Sequence, residues 1–160
     1  MPIRRCAVCK RMQTIPLMQK HYLIINDEIV CSKKCVLDWI QRPRPRFSTE
    51  DVYEIRRDIA VVGEYRSKYE KYFHLWLEEE HKVVAYYEPY TFKVGNGFYT
   101  PDFFLPKYGC FLETKGNWGI GQRKKLSRFR SQYPDVSLLV VSWLLQDSFY
   151  EEHENDLELK

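Results

Sequence analysis

Long apolar runs are what the sequence most clearly lacks. No stretch of its 160 residues approaches the roughly 18 apolar residues needed to cross a bilayer. The opening MPIRRCAVCK has no apolar segment of the kind that directs secretion. A chain away from membranes, in the cytoplasm with its thiols reduced, is the expectation. Internal repeats and low-complexity tracts are also missing, which excludes solenoid and tract-built architectures. Disorder of the whole chain is excluded by what is present: 44% hydrophobic and 16% aromatic residues suffice for a core, and the length suits one domain with a small appendage.

Charge is unevenly spread. Residues 1–46 hold ten Lys/Arg against three Asp/Glu, residues 47–146 fourteen against thirteen, and residues 147–160 one against six. The basic front suits a polyanion, although a solvated charged surface would have the same composition. QRPRPRF (41–47) alternates prolines with Arg42, Arg44 and Arg46, so it reads as an extended linker whose guanidinium groups suit phosphates. The organisation is therefore a cysteine-bearing module over 1–40, the linker over 41–47, and a larger domain over 48–160 ending in an acidic tail.

Ser48 or Thr49 before EDVYEIRRDIAVV predicts a capped helix that Gly63 interrupts. RSKYEKYFHLWLEEE restarts one, with Tyr69, Tyr72, Phe73, Trp76 and Leu77 on one face. The pieces KVVAYYE and YTFKV read as strands, with the turn GNG (95–97) after them and Asn96-Gly97 as its turn signal. GQRKKLSRFRSQY predicts a basic helix and DVSLLVVSW a buried strand. The order gives an α/β fold with a mixed β-sheet flanked by helices, preceded by a small zinc-binding module.

YTPDFFLPKYGCFLETKG (99–116) reads as a β-hairpin. With the turn centred between Lys107 and Tyr108, partners sum to 215 and Asp102 lies opposite Glu113. Strand alternation puts Phe111, Glu113 and Lys115 on one face. Two facing carboxylates repel, so something must offset them: a raised pKa, or better a hard divalent cation, Mg2+ or Mn2+. Lys115 would then stand beside an activated water or a charged phosphate intermediate, which is equipment for phosphodiester hydrolysis. The plainer alternative is a turn-capping Asp102 and a Glu113–Lys115 ion pair on an edge strand.

Pro101-Asp102 followed by Glu113-Thr114-Lys115 resembles the catalytic signature of the PD-(D/E)xK nuclease superfamily. YTPDFFLP, ETKG and the basic RKK look like the phage endonuclease I family of Holliday-junction resolvases. That family carries Arg-Ser-x-x-Glu ahead of the sheet, and YRSKYEKYF supplies it here with Glu70. The similarity covers roughly residues 64–142. It implies a restriction-endonuclease-like fold, with Glu70, Asp102, Glu113 and the Thr114 backbone carbonyl as metal ligands and Lys115 as the catalytic lysine. It also implies cleavage of branched DNA by a homodimer, leaving 5′-phosphate and 3′-hydroxyl ends, in the host-cell cytoplasm if the chain is viral. The family's dimers intertwine through elements ahead of the catalytic helix, where this chain has cysteines and a linker instead. Other readings are a homing-, restriction- or transposase-type nuclease guided by the finger, a part of a larger DNA-processing complex, or a non-catalytic DNA-binding zinc protein.

Cys6, Cys9, Cys31 and Cys35 form two close pairs with 21 residues between them, the pattern of one structural tetrahedral Zn2+ site. Ligation would stabilise a segment with too little core of its own. VCSKKCVLDWI is similar to small treble-clef fingers. Arg4, Arg5, Lys10, Arg11, Lys33 and Lys34 would face a phosphate backbone, with protein docking as the competing use. Cys110 reads as a small core residue. On the basic helix, Gln122, Arg123, Lys124, Lys125 and Arg128, with Arg130, would contact phosphates without reading sequence.

Overall fold

The strand carrying Glu113, β8 (Cys110–Lys115), is the axis of the fold. It pairs antiparallel with β7 (Phe103–Leu105) and parallel with β9 (Leu138–Ser142). Beyond β7 lies β4 (Tyr86–Tyr87), giving a mixed four-stranded sheet in the order β4-β7-β8-β9. The structure, a computed structural model, describes residues 3–14, 30–56, 65–66, 68–115 and 120–142. A second, antiparallel sheet joins β3 (Glu54–Ile55), β5 (Tyr90–Val94) and β6 (Gly97–Tyr99). The short hairpin β1 (Ile3–Arg5) and β2 (Met12–Thr14) precedes both.

Strand alternation gives the four-stranded sheet two apolar faces. Phe103, Leu105, Cys110, Leu112, Leu139 and Val141 bury against α2 (Lys68–Leu75), whose Tyr69, Tyr72 and Phe73 meet them together with Trp76 and Leu77 of the π-helical turn that prolongs it. These are the five residues that helical spacing groups on one face. Phe104, Phe111, Leu138 and Val140 turn the other way, onto Phe92, Tyr99 and α3 (Ile120–Gln132) with its buried Leu126 and Phe129. The continuous apolar run of β9 follows from burial on both faces.

The cysteine module shares this core. Helix α1 (Lys33–Ile40) starts where Ser32 caps the Cys35 amide at 3.2 Å, and it buries Val36, Trp39 and Ile40 in the cluster that holds α2 and Leu112. The linker is pinned as well. Phe47 packs on Phe104 and Phe111 at centroid distances of 5.0 and 5.1 Å. Arg44 donates to the carbonyls of Ile40, Trp39 and Tyr108 and lies over the Trp39 ring at 4.6 Å. Arg42 donates to the Ala7 carbonyl at 2.7 Å.

Two expectations are corrected. The helix expected from residue 48 is a single 3-10 turn, Thr49–Asp51, followed by β3. Its amides are taken up across the sheet instead: Tyr53 donates to the Thr91 carbonyl and Arg56 to that of Pro89, each at 2.8 Å. Cross-strand pairing outweighs the helical propensity of the acidic start; residues 57–64, with Gly63, lie outside the described residues. The β5–β6 turn is Gly95-Asn96 and not Asn96-Gly97, because Val94 pairs with Gly97. Gly95 has φ +57°, the first central position of a turn with glycine there, and Asn96 stays at ordinary φ.

Candidate active site

The β7–β8 hairpin has the expected register. Phe103 faces Leu112 and Leu105 faces Cys110, so Asp102 extends the ladder to Glu113. Gly109 closes the turn at φ +67°, where other residues are strained, and donates to the Leu105 carbonyl at 2.8 Å. At the open end, side chains replace the ladder. The Asp102 amide donates to Glu113 Oε2 at 2.9 Å, and Asp102 Oδ2 accepts the Thr114 amide and hydroxyl, both at 2.8 Å. Asp102 and Glu113 are 5% and 3% exposed, so these donors supply part of the offset that two adjacent buried charges require.

Glu70 comes to the same place from α2. It is 7% exposed, which separates it from an ordinary surface residue on an amphipathic helix. Its Oε2 accepts the Arg66 amide at 2.9 Å and the Tyr87 hydroxyl at 2.6 Å. Burial, followed by the hydrogen bond to Glu70, holds the Tyr87 phenol far above its ordinary pKa, so it is a donor at neutral pH. Glu70, Asp102 and Glu113 line one cleft of about 460 Å³, whose other walls include Arg66, Phe98, Tyr99, Gln122 and Lys125.

Several residues in or near this cleft carry no sequence signal of a site. Tyr99 reads as an ordinary inward strand residue, yet its buried hydroxyl faces the carboxylates of Glu113 and Asp102. Burial, and then the charges of Glu113 and Asp102, push its phenol well above the usual range. Glu88 is 5% exposed at φ +48°; its amide donates to the Asp102 carbonyl at 2.7 Å. Its carboxylate pairs with Arg56 at 3.3 Å and with Arg66, which lines the cleft, at 3.1 Å. His74, next to Glu70 on the helix, is a packing histidine: Nδ1 meets the Tyr65 hydroxyl at 2.6 Å and Nε2 the Ala85 carbonyl at 2.8 Å.

Lys115 ends β8, in register with Ser142, two residues past Glu113. The side chains of Lys115, Arg123 and Arg4 lie outside the described part, as does the 116–119 segment of the glycine-rich loop. On α3, Gln122 and Lys125 reach the cleft, Lys124 and Arg128 are exposed elsewhere on the helix, and Arg130 donates to the Leu138 carbonyl at 3.3 Å. Of the linker arginines, Arg46 is exposed, while Arg42 and Arg44 are half-buried on backbone carbonyls.

The four cysteine sulfurs converge within 4.8 Å of one another. Cys31 Sγ lies 3.5 Å from both Cys9 Sγ and Cys35 Sγ, too far for a disulfide and close to the ~3.8 Å edge of a tetrahedron with 2.3 Å metal–sulfur bonds. Lys10, at φ +66°, turns the chain after Cys9, and its amide returns to the Cys6 carbonyl. Burial raises the Cys6 pKa, but the amides of Cys9, Val8 and Cys31 outweigh it and bring the thiol down to about 6. The cluster could hold a metal ion. Around it Arg5, Lys10, Arg11 and Lys34 are exposed and Lys33 half-exposed; residues 15–29 lie outside the described residues. Cys110 is fully buried in the shared core, and burial pushes its thiol up to about 11.

No described helix is long and apolar enough to cross a membrane. The chain is 39% identical over 88 residues to Endonuclease I of Escherichia phage T7, a match covering 53% of this chain and 58% of that protein. It is 43% identical over 53 residues to Endodeoxyribonuclease 1 of Enterobacteria phage T3, covering 33% and 34%. The matched part thus spans little more than half the length of the first relative and a third of the second. No solved structure matches. The Phage endonuclease I family model matches residues 52–151, more than half of the sequence and the whole of the acidic cleft, and the chain belongs to that family.

Proposed function

We propose that this protein is a Mg2+-dependent DNA endonuclease that hydrolyses phosphodiester bonds in branched DNA such as four-way junctions, acting as a homodimer. The observation that carries the reading is the convergence of three buried carboxylates, Glu70, Asp102 and Glu113, in one cleft with basic α3 on its rim. Those carboxylates are a hard oxygen set that suits Mg2+ or Mn2+, and their hydrogen bonds fix the carboxylates in place. Glu70, Asp102, Glu113 and the Thr114 carbonyl would hold the ion. When bound, the ion would lower the pKa of water and neutralise phosphate charge.

The chain's own residues do the rest. Glu113 is set by the Asp102 amide, Asp102 by the amide and hydroxyl of Thr114, and Glu70 by Tyr87 and the Arg66 amide. Lys115, two residues past Glu113, supplies a positive charge for the phosphate as negative charge builds on it. Arg66, oriented by Glu88, and Lys125 bind non-bridging phosphate oxygens at the cleft rim. Arg123, Lys124 and Arg128 extend the phosphate track along α3, and Arg46 extends it along the linker.

The cysteine module, over residues 1–40, holds structural Zn2+. It presents Arg5, Lys10, Arg11 and Lys34 to the DNA backbone, with residues 41–47 carrying it onto the nuclease domain that fills the rest of the chain. The test is cleavage of a four-way junction and of linear duplex with the same sequence, with and without Mg2+. Junction cleavage that requires Mg2+ and vanishes in Asp102→Asn is the expected result. Equal cutting of junction and duplex removes the branched-substrate preference, and cutting by Asp102→Asn removes the mechanism.

A further inference from the structure

Tyr53 and Phe98 lie against one another on the outside of the protein, with Phe98 at the lip of the cleft. Their ring centroids are 4.8 Å apart with planes tilted by 42°, yet Tyr53 is 61% and Phe98 45% exposed. Phe98 lines the cleft that holds Asp102 and Glu113. The hydrolytic reading uses neither ring. Strand alternation explains the outward direction: Tyr99 turns in to meet Phe129 at 4.9 Å, so its neighbour Phe98 must turn out. A solvent-facing strand position ordinarily carries a polar residue, as the cross-strand partner Lys93 does.

We propose that Tyr53 and Phe98 form a stacking platform for an unstacked nucleobase of the strand whose phosphate enters the cleft. Charge favours nucleic acid as the occupant. Exposed Lys93 pairs with Phe98 across β5–β6, exposed Lys125 shares the cleft with it, and Lys124 and Arg128 stand exposed on α3. Of the exposed acids nearby, Glu54 lies on β3, on the far side of β5 from β6, and Asp51 lies toward Tyr133 at the end of α3, away from the cleft-lining Lys125. Phosphates therefore run past Lys125 at the cleft end of α3 while a base reaches the rings. Every base has a π-face, so the platform is indifferent to sequence. Bases within intact duplex keep both faces covered, whereas a base at a branch, bulge or mismatch offers one. The platform would thus read DNA structure beside the scissile phosphate. This inference rests on the cleft being a nuclease site.

The test uses the full chain without added Mg2+ and two DNAs, one with 2-aminopurine at an unpaired position and one with it inside continuous duplex. Wild type should change the fluorescence of the unpaired base and leave the duplex one unaltered. Phe98→Ala and Tyr53→Ala should lose that change and bind the unpaired-base DNA about tenfold more weakly, with duplex binding unaltered. Phe98→Tyr should keep both, and circular dichroism melts confirm that the variants fold. Unaltered fluorescence response and affinity in both alanine variants overturn the platform. So does a dimer that falls apart in Phe98→Ala while DNA affinity per dimer is kept, because the rings then belong to a copy–copy interface. Mg2+-dependent cleavage separates the two readings: cleavage without any base response removes only the platform. A base response without cleavage in any divalent metal removes only the nuclease.

Discussion

The amide of Asp102 donates to Oε2 of Glu113 at 2.9 Å across the open end of the hairpin. In return Asp102 Oδ2 accepts the amide and hydroxyl of Thr114 at 2.8 Å. Each carboxylate is therefore oriented by the backbone of the strand opposite. Thr114→Val removes one of these bonds and keeps the side-chain shape. It should lower cleavage by about tenfold, in the range typical of groups that orient a metal ligand, with a melting temperature close to wild type. Unaltered activity would show that the hydroxyl does not set the Asp102 carboxylate.

Tyr87 acts on the third carboxylate. Its hydroxyl donates to Glu70 at 2.6 Å, so Tyr87→Phe leaves Glu70 buried with one donor fewer. The expected outcome is a Mg2+ requirement raised by about tenfold, with cleavage recovering at high Mg2+. A Mg2+ titration identical to wild type would contradict the arrangement.

Loss of one cysteine of the cluster should reach the whole molecule. Val36, Trp39 and Ile40 share one buried cluster with Phe73 and Leu112, so the module and the sheet should melt together. Cys35→Ser should shift a single calorimetric transition down by at least about 10 °C, at 2–4 °C per kcal/mol for a chain of this size. Two transitions, with the upper one at the wild-type temperature, would show the sheet to be independent of the module.

Arg44 gives a complementary stability test. It bonds the carbonyls of Ile40, Trp39 and Tyr108 and covers the Trp39 ring, joining α1 to the β7–β8 turn. Arg44→Ala should cost about 2 kcal/mol in urea unfolding, and Arg44→Lys should recover little of it, because an ammonium cannot reproduce the planar fork. An effect of a few tenths of a kcal/mol would make the linker the loose connection its prolines suggest.

Much of this was legible in the residues. The register of Asp102 against Glu113 follows from counting around the Pro106–Gly109 turn, and the α2 face follows from the spacing of Tyr69, Phe73 and Trp76. The segment after Ser48 was misread because its acidic start resembles a helix cap, whereas its partner strand β5 lies some forty residues on and local propensity cannot see it. Sequence separation also hides Glu88 and Tyr87, whose roles depend on what the Asp102 segment and α2 bring to them. The linker arginines look like surface cations in sequence, and only the folded α1 shows that Arg42 and Arg44 have carbonyls to bond.

The central claim is that Asp102 and Glu113 face each other to share a divalent cation. Calorimetric titration of Mn2+ into the zinc-loaded protein tests it most directly. Wild type should show a Mn2+ site that is lost in both Asp102→Asn and Glu113→Gln, while zinc content stays at one ion per chain. Mn2+ binding that survives unaltered in both variants would contradict it.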